Sequence, residues 1–177
     1  DGSHGFVFDA DNSNNSDFTA ITDLNIRPIN INPSPAMGDA LRFVNTNNAS
    51  FYAPALKITD WGGRGIYSSS GTSVFSSYWG FLYIEADGGA DNGIVDMRPG
   101  PGVRISRLYI SGIDDVSGAD STALHIRNNS ISIGALNAGG TLARIFRSDV
   151  DSPANIYLET WNWEPSGRNS TSNEVFL

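Results

Sequence analysis

Apolar residues in this chain recur at every second position in short bursts, and the bursts resemble one another. Leu24-Asn25-Ile26-Arg27, Leu56-Lys57-Ile58-Thr59, Leu82-Tyr83-Ile84-Glu85, Leu108-Tyr109-Ile110-Ser111, Ile131-Ser132-Ile133-Gly134 and Ile156-Tyr157-Leu158-Glu159 each start with an aliphatic residue and carry another two places on. Alternation of this kind puts the two aliphatic side chains on one face of a strand and their neighbours on the other. The second aliphatic positions, 26, 58, 84, 110, 133 and 158, follow one another at steps of 32, 26, 26, 23 and 25 residues. Windows with three-four spacing are interrupted by glycine, proline or β-branched residues, so helices are not predicted.

A second series of short apolar units falls between the first: Phe6 to Phe8, Leu41 to Phe43, Gly65-Ile66, Gly93-Ile94, Leu124 to Ile126, Ile145-Phe146 and Val175. Two interleaved strand series sharing one period predict an all-β solenoid of about six coils, a single domain over residues 1–177. Like strands then lie parallel, about 4.8 Å apart. Ile26, Ile58, Ile84, Ile110, Ile133 and Leu158 are expected to form one internal stack, and Gly62-Gly63 to turn a corner between two faces. Regular short strands with Gly, Asn and Pro turns also suit a β-sandwich or jelly roll, although neither needs a shared period.

The stretch ALRFVNTNNASFYAPALKITDWGGRGI from Ala40 to Ile66 returns loosely as YWGFLYIEADGGADNGI and VRISRLYISGIDDVSGADSTALHI. In this order of units the chain resembles the right-handed parallel β-helix of the pectin-lyase-like superfamily, of the phage tailspike type. The resemblance covers about Gly5 to Leu177. Polysaccharide lyases, glycoside hydrolases, tailspikes and surface proteins share that coil pattern. It implies a carbohydrate-active protein of the extracellular space or virion surface, one that binds and in enzymatic members depolymerises a bacterial surface polysaccharide, with a homotrimer as the expected assembly. Members usually carry more coils than the six or so countable here, so the expectation is either a short member or a fragment of a longer chain. The alternative is a non-catalytic structural or adhesive surface or virion protein.

Composition narrows the partners. Lys plus Arg number 11 against 19 Asp plus Glu, a net charge of −8 that argues against nucleic acid, whose affinity comes mostly from cations on phosphates. No apolar run approaches the roughly 20 residues of a bilayer-spanning helix, so no membrane is expected. There is no cysteine to form a disulfide. Asp9, Asp11 and Ser13 have the opening spacing of a calcium loop, but Asn14 stands where glycine is needed and Ala20 where the bidentate glutamate belongs. No metal and no cofactor are expected.

Function is then carried by what points outward. With the aliphatic positions inside, Tyr83, Tyr109 and Tyr157 fall in one outer column with Lys57 and Ser132. The next column holds Thr59, Glu85, Ser111, Gly134 and Glu159, and one further step brings Trp61, Asp87, Ile113 and Trp161. Aromatic faces beside carboxylates and hydroxyls match the apolar C–H faces and hydroxyls of a sugar chain. Tyr83, Tyr109, Tyr157, Glu159, Trp161 and Trp61 are the expected substrate-binding residues. A neighbouring subunit or loop could cover the same aromatics.

For catalysis, Glu85 and Asp87 lie two residues apart on one strand, hence about 6.6 Å apart at the backbone. That falls within the window of about 6.5 to 9.5 Å between the carboxylates of inverting glycosidases. Asp114 and Asp115 follow the strand of the next coil, and Asp115 joins Glu85 and Asp87 as a catalytic candidate. Strand ends also carry carboxylates simply to stay solvated, so hydrolase, lyase and binding alone remain open. His125 is expected to point outward beside Arg127, compatible with proton transfer and recognition of an acidic sugar.

Overall fold

The computed structural model describes residues 4–9, 18–20, 24–26, 38–44, 49–68, 74–86, 93–99, 102–113, 121–127, 129–140, 142–148 and 154–165. These contain strands β1 (Phe6–Asp9), β2 (Phe18–Ala20), β3 (Leu24–Ile26), β4 (Leu41–Val44), β5 (Ala49–Trp61), β6 (Ile66–Ser68), β7 (Val74–Ala86), β8 (Gly93–Met97), β9 (Val103–Gly112), β10 (Ser121–Ile126), β11 (Asn129–Gly140), β12 (Leu142–Arg147) and β13 (Ala154–Pro165). No described residue is helical.

Short strands build one sheet in the order β1-β4-β6-β8-β10-β12, and long strands a second in the order β13-β11-β9-β7-β5-β2, with β3 also on β5. All the ladders between described strands are parallel. From β4 onward the chain alternates between the two sheets, and from β5 onward each strand lands beside the one two places earlier. This is a parallel β-solenoid. A sandwich or jelly roll, built on antiparallel hairpins, is set aside. Gly62 and Gly63 bend the chain from β5 in the long-strand sheet toward β6 in the short-strand sheet, as the glycine pair predicts.

The long strands are themselves bent. In β5, β7, β9 and β11 a buried residue is followed by two partly or fully exposed ones and then by another buried one: Pro54-Ala55, Gly80-Phe81, Ser106-Arg107 and Gly134-Ala135. A straight strand cannot turn two successive side chains to the same side. The chain therefore changes direction there, and the ladders skip this position on each passage. Pro54, Gly80, Ser106, Gly134 and Glu159 stack along the bend. A Cβ on Gly80 would run into the Pro54 carbonyl, and one on Gly134 would lie 2.6 Å from Ser106 O, so both positions require glycine for close backbone approach.

Inside, one apolar cluster fills the solenoid. Ile58, Ile84 and Ile110 are in register and fully buried, as are Leu56, Leu82 and Leu108 beside them. β-branched side chains have few χ1 options and pack well on a pleated surface. Phe43, Phe51 and Trp79 form an aromatic knot with centroids 4.6 to 6.1 Å apart. The expected six-member stack holds for Ile58, Ile84 and Ile110, with Ile26 in register beside Ile58, but not for its last two members. Ala138 and Trp163 continue that line, whereas Ile133 and Leu158 align with Ile105 on the other side of the bend. Both β11 and β13 carry two inward units, and the earlier Ile-x-Ile of β11 belongs to the first half of the strand.

Candidate functional site

Register places Lys57, Tyr83, Tyr109, Asn137 and Asn162 side by side on β5, β7, β9, β11 and β13. Tyr83 and Tyr109 stack with centroids 4.6 Å apart and planes within 5° of parallel. Lys57 Nζ lies 5.1 Å from the Tyr83 centroid. Because β5 and β9 flank β7 on opposite sides, both faces of Tyr83 are taken. Tyr109 has one face on Tyr83, and the other looks toward β11, where its register partner is the smaller Asn137. A depression of about 540 Å³ opens there, lined among others by Arg107, Tyr109, Asn137, Thr160, Trp161 and Asn162.

Trp161 lines the edge of this depression and is 51 % exposed, although its register partner is the buried Leu136, in line with Leu108, so that it ends the inward leucine column on the last described strand. Asn162 Nδ2 donates to Asn137 Oδ1 at 3.3 Å and to Glu164 Oε1 at 2.8 Å, and the Thr160 hydroxyl donates to the Gly134 carbonyl at 3.3 Å. Amide oxygens and nitrogens thus continue the outer column beyond Tyr109, and Phe81 and Tyr83 also line the depression. Arg107, Asn137, Thr160 and Asn162 were not singled out by the sequence reading. The signal for them was the Leu136-Asn137-Ala138 and Trp161-Asn162-Trp163 units, each the second alternating unit of its strand.

Tyr83 and Tyr109 therefore share a column as expected, while Tyr157 does not. Tyr157 is exposed, but it lies beside Ser132, in line with Arg104 and Tyr78 on the other half of the bend. The displacement is the same five-residue slip that moved Leu158 out of its stack. Tyr78 itself stacks on Tyr52 at 5.6 Å, a second aromatic pair beyond the bend. Glu159 stands at the bend, exposed, 3.9 Å from the exposed Arg104.

Trp61 corrects another expectation. It is only 5 % exposed, belongs to the core, and donates its indole N–H to the Gly38 carbonyl at 2.8 Å. The reason is local: Asp60 adopts φ 55, and the ladder with β7 slips between Ile58 and Trp61, so alternation is lost and Trp61 pairs with buried Ala86. A bulge of this kind turns a nominally outward residue inward.

Glu85 is the catalytic candidate that the structure describes. It accepts a short hydrogen bond from the Tyr83 hydroxyl. That hydrogen bond, with burial and the negative charge of Glu85, raises the phenol pKa above its ordinary value near 10. The contact therefore stabilises the fold below about pH 10 and fades at higher pH, as the folded-state pKa is approached. In a spectrophotometric titration of the tyrosines, Glu85→Gln is expected to bring one late-titrating phenol down toward the rest. An unchanged alkaline curve would contradict the contact. Asp87 and Asp115 lie outside the described residues, as do Asp11 and Ser13 of the acidic loop.

His125 is buried rather than exposed, at 3 %. Its Nδ1 lies 3.7 Å from Asp96 Oδ1, inside a charged cluster on the short-strand sheet. Asp96 Oδ2 accepts from Arg127 at 2.7 Å and from Arg64 at 3.4 Å, and Arg64 Nε reaches Asp39 Oδ1 at 2.6 Å. The Arg64 guanidinium also lies 3.4 Å from the Tyr67 ring centroid. This cluster ties successive strands together across the sheet. Among the described residues no three His, Cys, Asp or Glu side chains converge to hold a metal ion. No family model, no curated protein and no solved structure matches this chain.

Proposed function

We propose that the solenoid binds a bacterial surface polysaccharide in the groove between Tyr109 and Trp161, as a carbohydrate-active β-helix of the tailspike kind at a cell or virion surface. The observation that carries the reading is the groove's composition and support: four aromatic residues, Phe81, Tyr83, Tyr109 and Trp161, with two amides and one guanidinium on four adjacent strands of a parallel sheet. Aromatic faces supply contact for the C–H faces of a sugar, and amides meet its hydroxyls. Tyr83, held between Lys57 and Tyr109, acts as a buttress. Depolymerisation, in this reading, falls to Glu85 with Asp87 or Asp115 as the second carboxylate.

The test is retention of a panel of capsular and other bacterial surface polysaccharides by the immobilised protein, with products assayed for new reducing or unsaturated ends. For a retained polysaccharide, Tyr109→Ala and Trp161→Ala are each expected to weaken binding about tenfold, the loss of roughly 1.4 kcal/mol of aromatic contact, with melting temperature nearly unchanged. Retention of none would leave a structural or adhesive solenoid whose aromatics meet another subunit. Turnover that survives both Glu85→Gln and Asp87→Asn would remove that pair from catalysis.

A further inference from the structure

Arg107 occupies an unusual position among the arginines. It is the second residue of the bend in β9, exposed, with the bulky Phe81 as its register partner on one side and the small Ala135 on the other. It lines the depression beside Tyr109, and it is the only charged residue among the described residues that do so. Arg64 and Arg127 hold buried carboxylates, and Arg104 lies 3.9 Å from Glu159, whereas Arg98, which also has no ion pair among the described residues, does not line the depression. Among the described residues, Arg107 has no such carboxylate.

A planar guanidinium with several donors in a fixed fork matches a carboxylate, sulfate or phosphate through two parallel hydrogen bonds, and such charge-assisted bonds are roughly twice as strong as neutral ones. The surrounding groove offers aromatic faces and amides, which suit the uncharged remainder of a sugar ring. Resting on the reading of this groove as a glycan site, we propose that Arg107 makes it selective for a glycan bearing an anionic substituent, held over Ala135 beside Tyr109. The net charge of −8 repels a polyanion at long range. Selection is therefore a short-range contact at one sugar residue rather than a general attraction for acidic polymers. The competing role is packing, in which the Arg107 stem only covers Phe81 and Ala135.

The experiment uses an array of oligosaccharides with matched backbones, printed neutral, carboxylated, sulfated and phosphorylated, and probed with wild type, Arg107→Gln, Arg107→Lys and Tyr109→Ala. Wild type is expected to bind anionic members and to lose them when carboxyls are reduced or the sulfate or phosphate is removed, which also identifies the anion. Arg107→Gln is expected to weaken anionic glycans about tenfold or more, the effect of losing a hydrogen bond to a charged group, and to weaken neutral ones by much less, so that the anionic preference is lost. Arg107→Lys restores part of the affinity. Tyr109→Ala weakens both classes. Equal binding of neutral and anionic members by wild type, or an Arg107→Gln variant that keeps the anionic preference, overturns the role of Arg107 while leaving the groove intact. A lower melting temperature in Arg107→Gln with unchanged glycan preference would show packing instead. Absence of binding to every printed glycan overturns the groove reading and this one with it.

Discussion

Ile110→Asp is expected to unfold the protein, or to leave it so close to unfolding that no cooperative melt survives above room temperature. Ile110 is fully buried, in register between Ile84 and Ala138 in the middle of the long-strand sheet. A carboxylate there would meet only apolar neighbours, and an unpaired buried polar or charged group costs several kcal/mol even after the group protonates. Losing the aliphatic side chain removes about 2 kcal/mol more of burial. Total domain stability is only about 5 to 15 kcal/mol, so the two losses consume most of it. In a solenoid, stability is carried by contacts between neighbouring coils, and a break at Ile110 would disconnect coils on both sides. Circular dichroism against temperature checks this. Asn137→Asp, on the outer face one position before buried Ala138, is the matched control and should melt like wild type.

Asp96→Ala is expected to give the second largest loss, about 2 to 3 kcal/mol. Asp96 is fully buried, yet its carboxylate reaches Arg127 at 2.7 Å, Arg64 at 3.4 Å and His125 at 3.7 Å, side chains from the two passages that flank it. Removing one partner of a buried charged cluster strands the others, which is more costly than the net worth of the pairs themselves. The arginine side chains keep 26 % and 21 % exposure, so water softens the penalty and the estimate sits below the range for fully buried pairs. For a domain of this size the loss lowers the melting temperature by about 5 to 10 °C. Glu159→Ala, which breaks only the exposed contact with Arg104 at 3.9 Å, should stay within about 0.5 kcal/mol of wild type. If Asp96→Ala and Glu159→Ala proved equally mild, the buried cluster would hold nothing together.

The solenoid was legible because its physical cause is written locally. An aliphatic residue at every second position, repeated at a near-constant period, leaves few ways to bury all the units except by stacking them, and the Leu56, Leu82 and Leu108 series shows that register directly. The Gly62-Gly63 corner was legible for the same reason. What was not legible was the bend inside each long strand. Ser106-Arg107 and Gly134-Ala135 look like continued alternation until burial shows two successive residues turned away from the core. Not seeing the bend merges two inward units into one, which put Ile133, Leu158 and Tyr157 five residues out of place. Trp61 was lost to a single left-handed residue, Asp60, since nothing in an Ile-Thr-Asp-Trp run announces a bulge. The burial of His125 goes with a carboxylate, Asp96, from the preceding coil, a contact that no local pattern encodes. Tyr83 and Tyr109 were found because they share a strand half with strong alternation, whereas Asn137 and Asn162 sit in units whose inward residues include Ala138 and Trp163 rather than Ile.

The groove beside Tyr109 is the centre of the functional account, and Trp161 makes it directly observable. Of the four tryptophans, Trp61 and Trp79 are buried and Trp163 is partly buried against the core, while Trp161 is exposed at the groove edge. Intrinsic fluorescence, recorded while the protein is titrated with a retained polysaccharide and then with acrylamide, therefore reports on this one site. The predicted result is a saturable blue shift with protection from quenching in wild type, and neither effect in Trp161→Phe. A shift that persists unchanged in Trp161→Phe, or a saturating polysaccharide that leaves Trp161 as accessible to acrylamide as before, would contradict binding in this groove.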